Sequence, residues 1–321
     1  MVTVMKKIYL LMIPVLAASC TQDIVEPVDC NITLDPANTY MTGEPVRFLI
    51  DGNVDNILFY SGETGAQYRF KDRYSVPVEQ VNSAMLNLDY QARYGYKDGL
   101  EVYVSNSFAG LKGDDAEADK ATVKAMVDGG MQGWTRLDYE EGASQVWTHQ
   151  SYEMNGYLDN FTVAFHWKPV RDGKSAQRTY WLSGSLVLDM EGAEPSTMKI
   201  TELNFTTVML NDWYSNAYEN NGGNGTIQFN KPATADIIFQ GCNATLYPES
   251  IDGWAISTPS ALNRVANDKG TVVKNLQNYM KSYEYVYDKP GNYTASFVCT
   301  NANYLGSSRI LKELRFSVID K

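Results

Sequence analysis

Short runs of Val, Ile, Phe, Tyr, Trp and Thr that alternate with polar residues at period two recur along most of this 321-residue chain. Val46–Ile50, Ile57–Tyr60, Leu100–Val104, Phe161–Phe165, Tyr180–Leu188 and Tyr293–Thr300 are examples, set apart by clusters of Gly, Asn, Asp and Pro. In extended backbone successive side chains point to opposite faces, so such runs cover a core on one side and meet water on the other. An all-β fold is expected. The exception is Asp115–Val127, where Ala118, Thr122, Ala125 and Met126 share a face at helical spacing. The acidic run Asp114–Asp119 suits the N-terminus of that helix, where backbone N–H groups favour negative charge. The helix is expected to cap the end of a sandwich.

The chain is too long for one hydrophobic core. Residues 28–78 read as an N-terminal immunoglobulin-type sandwich and 79–248 as a jelly-roll sandwich, since strands recur there without a linker. The pattern restarts near Trp254–Ser257 and runs to Phe316–Ile319, so 249–321 reads as a C-terminal immunoglobulin-sized sandwich.

Residues 1–19 have a different character. Lys6 and Lys7 precede the apolar stretch Ile8–Ala18, which is too short to span a bilayer, and Ala17, Ala18 and Ser19 lead into Cys20. Small side chains before a cysteine are what a lipoprotein signal peptidase requires. The expectation is a signal peptide over 1–19, a diacylglycerol on Cys20, and a tether over 20–27 with little periodicity. Membrane attachment would then be through the lipid.

Without residues 1–19 the chain loses two lysines and no acids, leaving 25 basic against 38 acidic residues, a net −13 against −11. That charge repels phosphate backbones, so a nucleic-acid partner is not expected. Beyond Cys20 only Cys30, Cys242 and Cys299 remain, an odd number without short spacing. They read as buried free thiols with at most one pair, and not as a disulfide framework or a metal site.

Two stretches resemble known families. Tyr285–Ala302, with Pro290-Gly291 before Tyr293-Thr294 and an Asn after the strand, is similar to the second half of a polycystic-kidney-disease (PKD) type immunoglobulin-like domain. Its alternation turns Tyr293, Ala295, Phe297 and Cys299 inward. Phe48–Tyr68, which carries Phe59-Tyr-Ser-Gly-Glu63 and Gly65-Ala-Gln-Tyr68, resembles the opening of an uncharacterised domain family of Bacteroidetes surface lipoproteins associated with polysaccharide uptake. Blocks like Leu100–Gly110, Val163–Trp167 and Arg178–Trp181 follow in the same order. The acidic start Thr21–Glu26 resembles the export signal of such lipoproteins, and the resemblance implies the outer membrane and the cell surface as the place of attachment. The family brings no settled catalytic residues.

The chemistry offered by the residues themselves is sparse. Asp51-Gly-Asn-Val-Asp55 has the ligand spacing that opens a calcium loop, but lacks its glycine and terminal glutamate, so an Asx-rich turn is expected and no cofactor. A serine triad would need His149 or His166, and no Gly-x-Ser-x-Gly elbow is present. His166, between Phe165 and Trp167, reads as a polar residue on a sheet face. Asp189 and Glu191 are two apart, the spacing of paired carboxylates on a glycosidase strand, yet Gly192 and Pro195 place them at a strand end. The chain is not expected to be an enzyme.

Aromatic rings in polar loops are the stronger signal, because sugars stack their C–H faces on Trp and Tyr. Trp213, Tyr214 and Tyr218 stand among asparagines and glycines in Asn211–Gly225; Trp134, Trp147 and Tyr157 have similar surroundings. These six are the expected ligand-binding residues, for a glycan or an outer-membrane glycan-uptake complex. The alternatives are a structural adhesin or fimbria-like component, and a jelly-roll polysaccharide hydrolase or lyase.

Overall fold

The structure, a computed structural model, describes residues 24–36, 39–95, 99–170, 178–211, 225–231, 233–241 and 251–321. Cys20, Trp213, Tyr214, Tyr218 and Cys242 lie outside the described residues. The chain forms two compact units, one from the segment up to Tyr68 together with Lys269–Lys321, the other from Arg69–Asp268. In chain order, unit one opens with β1 (Asp29–Leu34), β2 (Tyr40–Met41), β3 (Pro45–Asn53) and β4 (Asn56–Tyr60). Unit two begins with β5 (Val81–Arg93), β6 (Leu100–Ser105), α1 (Ala116–Asp128), β7 (Thr135–Leu137), β8 (Thr148–Glu153) and β9 (Thr162–Trp167). It continues with β10 (Thr179–Met190), β11 (Ser196–Lys199), β12 (Phe205–Met209), β13 (Thr226–Lys231), β14 (Ala235–Gln240) and β15 (Gly253–Ser257). Unit one resumes with β16 (Thr271–Lys274), β17 (Ser282–Val286), β18 (Gly291–Asn303) and β19 (Gly306–Ile319). The all-β expectation holds.

Unit one is a sandwich whose three-stranded sheet runs β1-β3-β17 and whose five-stranded sheet runs β16-β4-β18-β19-β2. Ile32, Val46, Phe48 and Ile50 of the first sheet pack in one core with Ile57, Phe59, Ala295, Phe297 and Cys299 of the second. The two separate sandwiches expected over 28–78 and 249–321 are therefore corrected to one. The reason is partnership: β1, β3 and β4 each bury one apolar face, and the strands that complete their sheets are β17 and β18 from the far end of the sequence. Alternation fixes which face is buried, not which segment pairs with it. Residues 24–27, expected as tether, are also held: Asn303 and Asn301 donate side-chain hydrogen bonds to the carbonyls of Ile24 and Glu26.

Unit two is an antiparallel two-sheet sandwich. One sheet runs β13-β14-β10-β5-β8, with β11 also on β10, and the other runs β12-β15-β9-β6-β7. Leu86 and Leu88 of β5, Tyr180 and Leu182 of β10, Val102 of β6, and Phe165 and Trp167 of β9 fill the space between. The expected restart at Trp254 is corrected as well. β15 is buried along its whole length because it lies inside a sheet, between β12 and β9.

Helix α1 begins where expected, with Asp115 as N-cap accepting from the Ala118 N–H at 3.1 Å. It covers the outer face of the β12-β15-β9-β6-β7 sheet instead of the sandwich end: Val123 packs with Ala164, Val208, Trp254 and Ile256. Its buried residues are Asp119 and Val123; of the expected stripe of Ala118, Thr122, Ala125 and Met126, Met126 packs partly against the same cluster, while Thr122 and Ala125 are exposed. The Asp119 carboxylate accepts the Lys112 and Gly113 N–H groups at 2.7 and 2.9 Å, which turns that side of the helix inward.

Candidate functional site

Where α1 leaves the outer face of this sheet uncovered, polar side chains replace the apolar ones. Inward alternation of Leu100, Val102, Phe165 and Trp167 into the core forces Glu101, Tyr103 and His166 outward. Register then aligns them: Glu101 is the cross-strand partner of His166, His166 of Trp254, and Tyr103 of Arg136. His166 is thus the sheet-face histidine the sequence suggested, but it has specific partners.

The imidazole stacks on Trp254, with centroids 4.1 Å apart and planes within 9°. Its Nδ1 lies 3.0 Å from Glu101 Oε2 and its Nε2 lies 3.0 Å from Asp252 Oδ1. Both neighbours are carboxylate oxygens, so the pattern is satisfied in full only when each ring nitrogen carries a proton. The chain of charges extends both ways: Arg136 Nη1 is 3.1 Å from Glu101 Oε1, and Lys168 Nζ is 2.6 Å from Asp252 Oδ2. Tyr103 donates its hydroxyl to Glu101 at 3.0 Å.

Burial alone would raise the carboxyls of Glu101 and Asp252. Hydrogen bonds and charge from His166, helped by Tyr103 and Arg136 on one side and Lys168 on the other, outweigh it and hold both below their usual values. Burial and the Glu101 contact push the Tyr103 hydroxyl up to about 12.

A cleft of about 290 Å³ opens beside this network, lined by Glu101, Arg136, Asp138, Glu141, His166 and Lys168, with Gly99, Leu100, Leu137 and Tyr139. Its floor is rigid. Glu141 is ion-paired with Arg178 and accepts the Tyr180 hydroxyl at 3.0 Å. The Arg178 guanidinium also donates to the carbonyls of Tyr94 and Gly95, at 2.8 and 3.1 Å.

The described sequence candidates are not in this cleft. Trp134 is half-buried against Phe108, centroids 5.0 Å apart, under the edge of α1. Tyr157 packs partly into the core between the sheets. Trp147, 44% exposed in the loop before β8, is the most accessible of the three. Asp189 and Glu191 do not form a pair: the register shifts at Asp189/Met190, and Glu191 lies beyond the end of β10, its N–H donating to the Gln80 carbonyl. Asp51 and Asn53 end β3 where it turns into β4, and the Asp55 N–H is taken by Asn301 Oδ1 at 2.8 Å. Among the described residues no group of three or more His, Cys, Asp or Glu is placed to hold a metal ion.

A second polar set, which no motif announced, lies on the outer face of β5 and β8. Asp89 faces His149 and Asn87 faces Ser151 across the ladder. His149 Nδ1 is 2.9 Å from Asp89 Oδ1 and its Nε2 is 2.9 Å from Ser151 Oγ. These are the contacts of a nucleophile, base and orienting acid. However, Ser151 Oγ donates to Asn87 Oδ1 at 2.6 Å, and with its single proton spent there it receives, not gives, at His149. In this arrangement the square orders the sheet face without activating the serine.

Residues 19–126 match the model of a domain of unknown function, DUF5017. That stretch runs from unit one into unit two and ends within α1, so of the charged network it takes in Glu101 alone. No curated protein and no solved structure was found to match the chain.

Proposed function

We propose that this chain is a surface-exposed, lipid-anchored outer-membrane protein that binds, without turning it over, a glycan or the glycan presented by an uptake partner, and that the cleft beside His166 receives a sugar unit. The observation that carries the reading is the composition of the cleft. It presents three carboxylates, two cationic side chains and an imidazole around one small volume, which suits a neutral ligand with many hydroxyl donors and acceptors better than an ion of either sign. Its size is at the lower limit of small-molecule sites, about 300 Å³. Glu101 and Glu141 are held by internal partners before any ligand arrives, so little ordering of them is needed on binding. Glu101 and Glu141, already engaged by His166 and Arg178, are poorly placed to act as free acid and base in hydrolysis. Export is supported by the Lys6–Cys20 segment and by the acidic run Thr21–Glu26 that follows it.

Calorimetric titration of the soluble protein beginning after Cys20 against a panel of neutral oligosaccharides tests this. Binding is expected to weaken at least tenfold in His166→Ala and in Lys168→Met. A glycan that binds with equal affinity to both variants would place the site elsewhere, around Trp147 or in the segment 212–224.

A further inference from the structure

Cys30 and Cys299 are the two described cysteines, separated by 269 positions in sequence. Cys30 is the second residue of β1, in the three-stranded sheet of unit one; Cys299 is in the middle of β18, in the five-stranded sheet. Both point into the core between those sheets, 3% and 0% exposed. Their sulfurs are 3.0 Å apart, with the Cys299 S–H donating to Cys30 Sγ. We infer that these two thiols are joined in a disulfide that staples the first strand of the protein across the sandwich to β18.

The sulfurs need about 1 Å of closure to reach a bond of ~2.05 Å. The oxidant is a disulfide donor of the exported compartment. Cys30 thiolate attacks one donor sulfur, forming a mixed disulfide and releasing a donor thiolate. Cys299 thiolate then attacks Cys30 Sγ, the second donor thiolate leaves, and two electrons have passed from the cysteine pair to the donor, whose two thiolates take up the two protons. Because both sulfurs are buried in the folded unit, exchange has to precede final docking of β1, which is an edge strand with one neighbour, β3.

The placement gives the link a mechanical role, and this part rests on the export reading. Load applied at a lipid on Cys20 would enter unit one through residues 24–28 and peel β1 from β3 one hydrogen-bonded pair at a time. A covalent link at the second residue of β1 carries that load into the central strands instead.

The test is non-reducing peptide mapping of the full chain carrying Cys20→Ser, both isolated from the producing cell's exported fraction and refolded in vitro in a glutathione redox mixture. A peptide linking Cys30 to Cys299 is expected in both samples, with about one free thiol per chain where three cysteines remain, and the link should survive Cys242→Ala. Reduction of the folded protein should lower its melting temperature, a readout that does not depend on any variant folding. A linked pair after refolding but not in cells would support the pairing and refute export. Three free thiols after refolding, or a pair involving Cys242, would overturn the inference.

Discussion

Arg178→Ala is expected to destabilise unit two by about 3 to 5 kcal/mol, the cost of leaving one member of a buried ion pair alone. The side chains of Arg178 and Glu141 are only 5% and 7% exposed, so water cannot replace the missing partner. Without the guanidinium the Glu141 carboxylate keeps one donor, the Tyr180 hydroxyl, and the carbonyls of Tyr94 and Gly95 lose theirs. Tyr180→Phe removes only the hydroxyl from a charged acceptor and should cost about 1.5 to 3 kcal/mol. The double replacement Arg178→Met with Glu141→Gln should cost much less than the sum of the singles, because it removes the charges together. Urea unfolding followed by tryptophan fluorescence reads this directly, since Trp167 is fully buried and its Nε1 donates to the Arg178 carbonyl at 3.2 Å. A cost below about 1 kcal/mol for Arg178→Ala, the value of an exposed pair, would refute the argument that this pair is dry and that it fixes the floor of the cleft.

Acid should loosen the outer face of the β12-β15-β9-β6-β7 sheet. The carboxyls of Glu101 and Asp252 sit below their ordinary 4.5 and 3.8 in the folded protein, so their contribution is complete above those values and is lost as pH falls through the lowered ones. Thermal melts between pH 7 and pH 2 should show this decline, and Glu101→Gln should flatten it; an unchanged profile in the variant would remove Glu101 from the account. In unit one, Gly52→Ala should cost about 1 to 3 kcal/mol. Gly52 has φ +108°, and an added Cβ would stand 2.2 Å from the Asp29 carbonyl oxygen on β1. A wild-type melt for this variant would show that β1 can shift without loss.

Much of the fold was legible locally. Val46, Phe48 and Ile50 are buried at alternate positions as their spacing requires, and Asp115 caps α1 as an acidic N-cap should. What the sequence concealed is long-range. Nothing in Asp29–Leu34 or Pro45–Asn53 names Ser282–Val286 as the third strand of their sheet, and a segment boundary drawn from a change of pattern cannot detect that both ends of a chain share one core. β15 misled for a related reason. A strand buried on both faces has no alternation to show, so Trp254–Ser257 resembled a fresh start when it was the interior of a sheet begun much earlier.

The candidate site was hidden by the same limit, one step further on. Each of its members carries an individual signal: Glu101 and His166 are polar residues at outward positions of otherwise apolar strands, which a sheet face covered by a helix would not tolerate. Read singly, each is an ordinary solvated side chain. Only the register that sets Glu101 opposite His166 and His166 opposite Trp254 converts them into a network, and register depends on pairing between segments more than 60 residues apart. Aromatic loops are conspicuous in a sequence because their composition is local, and of the six rings that composition singled out, Trp134 and Tyr157 are used for packing, Trp147 is exposed, and Trp213, Tyr214 and Tyr218 lie outside the described residues. A cleft made of residues from three strands and the loops beside them leaves no such local trace. The ligand-binding surface of a sandwich is better sought by asking which outward positions the packing elements leave uncovered, and in unit two that question leads to the end of the sheet beyond α1.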